Sequence, residues 1–442
     1  MFTPQDLSQI EKRGSSLSVV EEQVRNFERG FPYLQVVRAA TVGDGIRRLS
    51  EADADTYAEV YASRIAKLKV LKFVPASGAA SRMFQALFAL MNSYKGTEED
   101  KAAFAKDQGF QSPWNFFQRI NDFAFNEDLK ATFTGESQEE LLQKQALAVV
   151  LAHLLTEAGL NYGNLPKGLL KFHSYEDGAR TPLEEHIVEG ASYCAKEGGI
   201  VYLHFTVSPE HRSKFQQRVE EVKSLYESRL NVQIDISFSE QKPSTDTIAV
   251  DGHNQPFRNE DGSLLFRPAG HGALLDNLND LDADLIFIKN IDNVVPDRIK
   301  AETIRWKKAL AGVLLEMQER TRNYLIQLES PSDSLLAETE RFLLEELCVE
   351  PPAGYEENGM EERLAYVKAK LSRPMRVCGM VINEGEPGGG PFWAINPDAT
   401  VSLQIAESAQ IDKHDEGQQA IAKSATHFNP VDLVCATRDS AG

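Results

Sequence analysis

The spacing of apolar and polar positions predicts a protein of mixed strands and helices. Apolar runs at residues 70–74, 200–207 and 232–238 predict buried strands, and residues 209–230 carry apolar positions at helical spacing. Strand, helix, strand in that order predicts a parallel βαβ unit with a right-handed crossover. Residues 285–288 add another buried strand. The pattern therefore predicts an α/β fold.

Helical patterns dominate the stretches around this core. We expect an N-terminal helical extension over residues 1–66 and a helical insertion at about residues 95–160, because the stretch after the first strand is too long for a simple βα connection. The core would span residues 67–300 and be followed by a helical segment at residues 301–372. Strand character returns in residues 373–442, which would complete the core.

Composition and charge exclude several classes of partner. The 442 residues are 42% hydrophobic and 26% charged, with 47 Lys and Arg against 66 Asp and Glu, a formal net charge of −19. Nucleic acids and anionic membranes need a basic face, so we expect neither as a partner.

Four widely separated cysteines without CxxC spacing indicate neither a zinc site nor a disulfide framework. A polar N-terminus and the lack of an apolar run near ~18 residues predict a cytoplasmic protein, and no protein partner is implied.

A turn of small residues follows the first strand and precedes an amphipathic helix. The turn consists of Ser77, Gly78, Ala79, Ala80 and Ser81. Its small side chains would let backbone N–H groups at the helix N-terminus point at a phosphate. Arg82 follows one turn in, where a cation could neutralise charge that develops during phosphoryl or nucleotidyl transfer. Such turns also occur in α/β proteins that bind nothing there, so the turn alone does not show that this protein binds a phosphate.

Three later segments carry candidate binding chemistry, each with a simpler alternative. Lys167 lies between a proline and a glycine, so its backbone would position it, although it could also be a solvated loop lysine. Gly270 and Gly272 flank His271, where backbone could approach a flat ring closely; the alternative is an ordinary turn. The amide of Gln241 suits the edge of a base, or Gln241 is a loop residue.

Two further segments could contact a metal and a sugar. Asp292 follows a buried strand, where α/β sheets place ligands, and with a diphosphate above it would form a hard-oxygen site for Mg²⁺. The alternative is an aspartate that caps the next helix. Gly389 and Gly390 belong to the glycine-rich run at residues 386–393, which could line a sugar pocket or form a structural hairpin or lid loop.

Taken in chain order, these segments resemble the sugar nucleotidyltransferases, and more closely their UDP-sugar pyrophosphorylase branch. Residues 76–83 are similar to that family's triphosphate loop, residues 166–170 to its Pro-Lys-x-Leu segment, and residues 268–272 to its Pro-x-Gly-His-Gly segment. The match continues through residues 241–246, 290–293, 404–407 and 427–432, so that it covers roughly residues 70–435. The whole sequence also resembles an uncharacterised bacterial family, domain of unknown function 4301.

The resemblance implies a three-layer fold with a mixed, mostly parallel sheet, of the nucleotide-diphosphosugar transferase (GT-A-like) type. It implies catalytic roles for Arg82 and Lys167 and Mg²⁺ ligands at Asp292 and Asp432. Residues implied to contact the nucleotide are Ser77, Gly78, Ala79, Ala80, Ser81, Gln241, Gly270, His271 and Gly272. Residues assigned to the sugar side are Asn293, Gly389, Gly390 and Glu407.

The activity implied by the resemblance is transfer of a uridylyl group from UTP to a sugar 1-phosphate, giving a UDP-sugar and pyrophosphate. Two alternatives stay open. A glycosyltransferase would use a preformed nucleotide sugar, but it usually carries an Asp-x-Asp motif and this chain has a single acid at residues 292–294. A non-catalytic nucleotide-sugar-binding protein is the other, since Ser77 and Ala80 stand where the family usually has glycine.

Overall fold

The computed structural model describes residues 2–195, 198–385, 388–439 and 442. The chain divides into two compact units, and each combines segments that are distant in sequence. The first unit comprises Met1–Phe73, Gln241–Lys289 and Glu302–Gly442, and the second comprises Val74–Glu240 and Asn290–Ala301.

The predicted βαβ unit lies in the second unit. Strands Ile200–Thr206 and Gln233–Ser239 pair in parallel, from Ile200 opposite Gln233 to Thr206 opposite Ser239. The helix Arg212–Leu230 connects them and buries one apolar face, formed by Phe215, Val219, Val222 and Tyr226. The predicted order and the parallel pairing are confirmed.

Helices also fill the region of the predicted insertion. They are Gln85–Ser93, Glu98–Lys106, Pro113–Gln118, Asn126–Ala131, Gln138–Gln143 and Leu147–Leu155. Their apolar side chains form one buried cluster, to which Leu147–Leu155 contributes five of its nine residues. The apolar spacing of residues 82–94 predicts a helix that begins at Arg82, whereas the first of these helices begins at Gln85, because residues 81–84 form turns. The second unit is completed by helix Pro182–Tyr193 and the hairpin strands His173–Tyr175 and Gly178–Arg180.

The first unit contains parallel and antiparallel strands. Leu285–Lys289 pairs in parallel with Val70–Pro75 and antiparallel with Asp432–Ala436, which in turn pairs with Arg376–Cys378. A separate antiparallel sheet has the strand order Val36–Ala39, Gly390–Ile395, Val401–Ala406, Val349–Glu350. The prediction of a mixed α/β protein with a mostly parallel central sheet is confirmed, whereas the GT-A-like assignment stays a prediction.

The remaining elements of the first unit are helices and short strands. The helices are Pro4–Lys12, Leu17–Arg29, Glu51–Arg64, Leu275–Asn279, Asp333–Glu345, Met360–Leu371 and Glu416–Lys423, with Asp297–Gln327 crossing the unit boundary. The short strands are Thr41–Val42, Gly45–Ile46, Thr247–Ile248, Phe266–Arg267, Val381–Ile382 and His427–Phe428. Across the described part of the chain, no helix has both the length and the apolar character needed to cross a membrane.

Candidate functional site

The small-residue turn lies at the carboxyl end of strand Val70–Pro75. The backbone N–H of Ala76 donates to the carbonyl oxygen of Thr206 at 2.8 Å, which ties the start of the turn to a neighbouring strand end. Ser77, Gly78 and Ala79 are exposed. A Cβ atom built on Gly78 would meet nothing within 4 Å, so open space lies beside this glycine. The turn is anchored at its base and accessible at its tip.

The turn is joined through its backbone to the segment that carries Lys167. The N–H of Lys167 donates to the carbonyl of Gly78 at 3.2 Å, and the N–H of Ala80 donates to the carbonyl of Leu165 at 3.3 Å. Ala80 is fully buried in the apolar helical cluster. Its methyl group therefore packs inward, and its N–H already has a protein acceptor. Of the five turn residues predicted to contact a nucleotide, Ala80 thus has both its methyl group and its amide engaged within the protein.

The ammonium group of Lys167 reaches the carboxylate of Asp292. The Lys167 Nζ and Asp292 Oδ2 atoms are 2.6 Å apart, and the two side chains are 28% and 38% exposed. The pair is thus accessible to solvent, and each partner could exchange the other for a ligand. Two sequence segments 125 residues apart meet here.

Packing beside this pair explains the glycine that follows Lys167. A Cβ atom on Gly168 would lie 2.7 Å from Phe215 Cζ and 3.0 Å from Ile291 Cγ1. Only glycine lets the Lys167 segment approach the Asp292 segment this closely. The glycine after Lys167 is therefore required by packing, in addition to the effect on the backbone that the sequence predicted.

Arg82, Ser81 and Asn293 complete the predicted residues of the second unit. Arg82 and Ser81 are exposed in the turns before helix Gln85–Ser93. The backbone N–H of Asn293 donates to the carbonyl of Asn290 at 3.1 Å, which closes a tight turn around Asp292. The second unit thus presents exposed backbone, an accessible lysine and an accessible carboxylate, a combination suited to a phosphorylated ligand with a cation.

A buried polar network was missed by the sequence reasoning. Glu185, on helix Pro182–Tyr193, has a side chain with 0% exposure and contacts Lys300. It also accepts hydrogen bonds from His173 Nδ1 at 3.0 Å and from the Tyr175 hydroxyl at 2.5 Å. Arg180 and Lys300 both contact Asp297, each at 2.8 Å. The available signal was Thr181 followed by Pro182, which predicts an N-cap and a first helical position. Thr181 is the N-cap and forms a capping box with Glu184, but no pattern marked the neighbouring acid as buried.

The network controls the charge state of its acids. Burial by itself would raise the pKa of Glu185, but hydrogen bonds from His173, Lys300 and Tyr175 outweigh it and hold the pKa below its ordinary value. Burial also opposes ionisation of Asp297, whose pKa is nevertheless lowered by Lys300 and Arg180. Both carboxylates are therefore kept charged within the protein.

In the first unit, Gln241 belongs to a segment held by the N-terminal helices. Its Nε2 donates to Asp246 Oδ1 at 3.2 Å, and Arg13 also contacts the Asp246 carboxylate. Gln23 donates to the carbonyl of Asp246 at 3.2 Å and accepts from the N–H of Ile248 at 2.9 Å. One amide hydrogen of Gln241 is thus used internally. The N-terminal extension, to which the sequence assigned no chemistry, supports this segment.

The predicted Gly-His-Gly segment opens a short 3₁₀ turn at His271–Leu274. A Cβ atom on Gly270 or on Gly272 would meet nothing within 4 Å, so no internal packing requires glycine at either position. The side chain of His271 lies outside the described residues. Open space beside both glycines is what the predicted contact with a base needs.

The glycines assigned to the sugar side have internal packing reasons. A Cβ atom on Gly389 would lie 2.5 Å from Ile405 Cγ2, and one on Gly390 would lie 2.9 Å from Phe392 Cε2. Phe392 is itself buried, in strand Gly390–Ile395. These contacts favour the structural hairpin over the sugar pocket. Glu386 and Pro387 of the same run lie outside the described residues, and Glu407 is exposed just after strand Val401–Ala406.

Asp432, the second predicted metal ligand, contacts a buried lysine. Lys307 is 1% exposed at its side chain, and its ammonium group pairs with the Asp432 carboxylate. The preceding residue, Val431, has φ +56°, a left-handed conformation that β-branched residues rarely adopt. Asn429 supports it by accepting from the N–H of Val431 at 2.9 Å. Asp432 is therefore held by a strained turn and is already paired.

Within the described ranges, no group of three or more His, Cys, Asp or Glu side chains is placed to hold a metal ion. Mg²⁺ commonly uses one or two carboxylates together with substrate phosphates. Asp292, an accessible carboxylate beside an exposed turn, could contribute one such ligand.

Comparison with known families adds one firm assignment. The family described as "Domain of unknown function (DUF4301)" matches residues 3–442. The chain belongs to this family. No curated protein matches the sequence.

Two solved structures align with this chain at low similarity. Uridine diphosphate N-acetylglucosamine pyrophosphorylase from Trypanosoma brucei is 11% identical, with a TM-score of 0.42, over 95% of this chain and 57% of that one. A mutant UDP-glucose pyrophosphorylase from Leishmania major, in complex with UDP-glucose, is 13% identical, with a TM-score of 0.32, over 98% of this chain and 62% of that one. The chain therefore spans less than two thirds of either protein.

Proposed function

We propose that this protein is a nucleotidyltransferase that transfers a uridylyl group from UTP to a sugar 1-phosphate. One observation supports the proposal most strongly: Lys167 is joined through its backbone to Gly78 of the small-residue turn and through its side chain to Asp292. The three segments resemble, in chain order, the triphosphate loop, the lysine segment and the metal aspartate of the pyrophosphorylases. A shared site for a nucleoside triphosphate and a cation requires these distant segments to meet, as they do.

The proposed reaction needs no side-chain nucleophile. An oxygen of the sugar phosphate attacks the α-phosphorus of UTP, a new P–O bond forms, and the bond to the β-phosphate breaks to release pyrophosphate. Lys167 and Arg82 would orient the phosphates and cancel their charge. A Mg²⁺ ion on Asp292 would supply further neutralisation of phosphate charge. The exposed tip of the turn would contribute backbone N–H groups to the same anion.

Pyrophosphate release from UTP, measured with Mg²⁺ and a panel of sugar 1-phosphates, tests the proposal. Lys167→Ala and Asp292→Ala should each lose at least ~100-fold of the wild-type rate, because the first removes a cation that would face the phosphates and the second removes the ligand that would hold the Mg²⁺ ion. Lys171→Ala and Asp128→Ala are matched controls, since those residues form a 2.5 Å ion pair of similar exposure, 31% and 41%. Wild-type rates in the Lys167 and Asp292 variants would refute the assignment.

A second candidate is a nucleotide-sugar-binding protein without turnover. It is favoured by Ala80, whose methyl group and N–H are both engaged within the protein. A binding protein would be stabilised in thermal unfolding by UTP or a UDP-sugar while releasing no pyrophosphate with any sugar 1-phosphate. Lys167→Ala would reduce that stabilisation in either case, so the turnover assay separates the two functions.

A further inference from the structure

The imidazole of His186 contacts the backbone just before Asp292. His186 is fully buried on helix Pro182–Tyr193. Its Nε2 atom is 3.1 Å from the carbonyl oxygen of Asn290 and 3.1 Å from that of Ile291. Carbonyl oxygens only accept hydrogen bonds, so Nε2 must carry the hydrogen and donate it. The sequence assigned this histidine no role.

The two carbonyls belong to the tight turn that presents Asp292. The turn closes through the N–H of Asn293 and the carbonyl of Asn290, at 3.1 Å. The N–H of Ile291 donates to the carbonyl of Pro75 at 3.2 Å. The direction of the Asp292 side chain depends on the backbone angles of the turn, and these are limited from one side by Pro75 and from the other by His186.

The same helix also holds the far end of the segment. Glu185, the residue before His186, contacts Lys300, and Lys300 contacts Asp297 at 2.8 Å. Two consecutive side chains of one buried helix thus reach both ends of residues 290–300. The helix itself is fixed by its Thr181 cap and by burial of most of its residues.

We infer that His186 is a positioning residue, which holds the Asp292 turn so that its carboxylate stays within reach of Lys167 and of a cation bound with a nucleotide. The inference rests on the proposed function for the cation and the nucleotide. His186 would touch neither ligand and would act through the backbone carbonyls of residues 290 and 291. Removing its N–H donor should therefore weaken cation binding without unfolding the protein.

A Mn²⁺ titration of the full chain in the presence of UTP, with free Mn²⁺ followed by its EPR signal, measures this effect after subtraction of the Mn²⁺ that UTP binds in a titration without protein. His186→Leu keeps apolar bulk but removes the donor, and its Mn²⁺ affinity should fall about 10-fold or more, as for other residues that orient a metal ligand. His186→Gln places an amide N–H near the position of Nε2 and should restore most of the affinity. The readout does not depend on turnover.

His204→Leu is the matched control. His204 is a buried histidine of the same unit, and its ring nitrogens contact Ser237 and Ser239 at 2.7 and 2.8 Å. The His204→Leu variant should bind Mn²⁺ in the presence of UTP with the affinity of the wild type. Equal affinity of wild type and His186→Leu would overturn the inference, and so would a His186→Gln variant as weak as His186→Leu.

Hydrogen exchange of the backbone amides separates this inference from the proposed function. In His186→Leu the backbone amides of residues 290–295 should exchange faster than in His204→Leu. Away from the two substituted sites, the exchange rates of the second unit should be the same in both variants. If the wild type binds no Mn²⁺ beyond that held by UTP alone, the proposed function fails, and hydrogen exchange alone then decides whether His186 holds the turn. Unchanged exchange at residues 290–295 would overturn the positioning role.

Discussion

Two lysine–aspartate pairs, one in each unit, share their chemistry and differ in their surroundings. Lys167 and Asp292 are 28% and 38% exposed, whereas Lys307 is 1% exposed and Asp432 is 21% exposed. An exposed pair costs little to separate, because water and salt replace each partner. A buried ammonium group that loses its carboxylate has no such replacement. The first pair is therefore suited to exchange its partners for a ligand, and the second to hold the fold.

The largest effect should come from breaking the buried pair. Asp432→Ala removes a carboxylate partner from the buried Lys307, and we expect the free energy of unfolding to fall by about 3–5 kcal/mol. Urea unfolding measures the change. In the double variant Asp432→Ala, Lys307→Met the charge is gone as well, so most of the loss should be recovered. A loss below about 1 kcal/mol in the single variant would mean that burial does not distinguish the two pairs.

Two glycines of the second unit, Gly168 and Gly78, allow the same comparison between a packed position and an accessible one. Gly168→Ala would place a methyl group 2.7 Å from Phe215, and overpacking of this kind costs about 1–3 kcal/mol. Gly78→Ala has open space around the new methyl group and should change stability by less than about 0.5 kcal/mol. Urea unfolding of both variants, with UTP-induced stabilisation as a second readout, checks this. Equal stability losses would contradict it.

The acid network around Glu185, in the second unit, tests whether burial of an ion pair, rather than the unit that contains it, determines its contribution to stability. Because the pKa of Glu185 is lower in the folded protein, its contribution to stability is fully present above the ordinary value of about 4.3 and is lost as the pH falls through the folded pKa. We expect stability to stay level from pH 7 to 5 and to decline below. Lys300→Met removes one group that lowers the pKa, so its decline should begin at a higher pH than in the wild type. Identical acid profiles would exclude the network as the cause.

The sequence predicted the parts of this molecule that depend on local pattern. The βαβ unit, the strand at residues 285–288 and the helix cap at Thr181 are all present, because hydrophobic period and capping chemistry act over a few residues. The resemblance to the pyrophosphorylases implied that Lys167 and Asp292 act together; their side chains meet, while their role in one site stays a prediction.

What the pattern did not reveal depends on contacts between distant residues. Glu185 contacts Lys300, and His186 contacts residues 290 and 291, so each contact joins positions more than 100 residues apart. A charged or polar residue in a sequence does not by itself indicate that it is buried. For Gly389 and Gly390 the sequence likewise did not distinguish a sugar pocket from a structural hairpin or lid loop, and in the structure Ile405 and Phe392 occupy the space beside them. Packing partners decide these cases, and a single sequence does not identify them.

Of the changes to ion pairs, separating the exposed pair should have the smallest effect. Asp292→Ala and Lys167→Ala should each change the free energy of unfolding by less than about 1 kcal/mol, because solvent screens both charges. The change should shrink further when NaCl is raised from 0.05 to 0.5 M, as screening lengths shorten. Urea unfolding at both salt concentrations measures this. A loss comparable to that of Asp432→Ala would show that the pair holds the fold, and the lost activity expected of these variants could then no longer be assigned to the site.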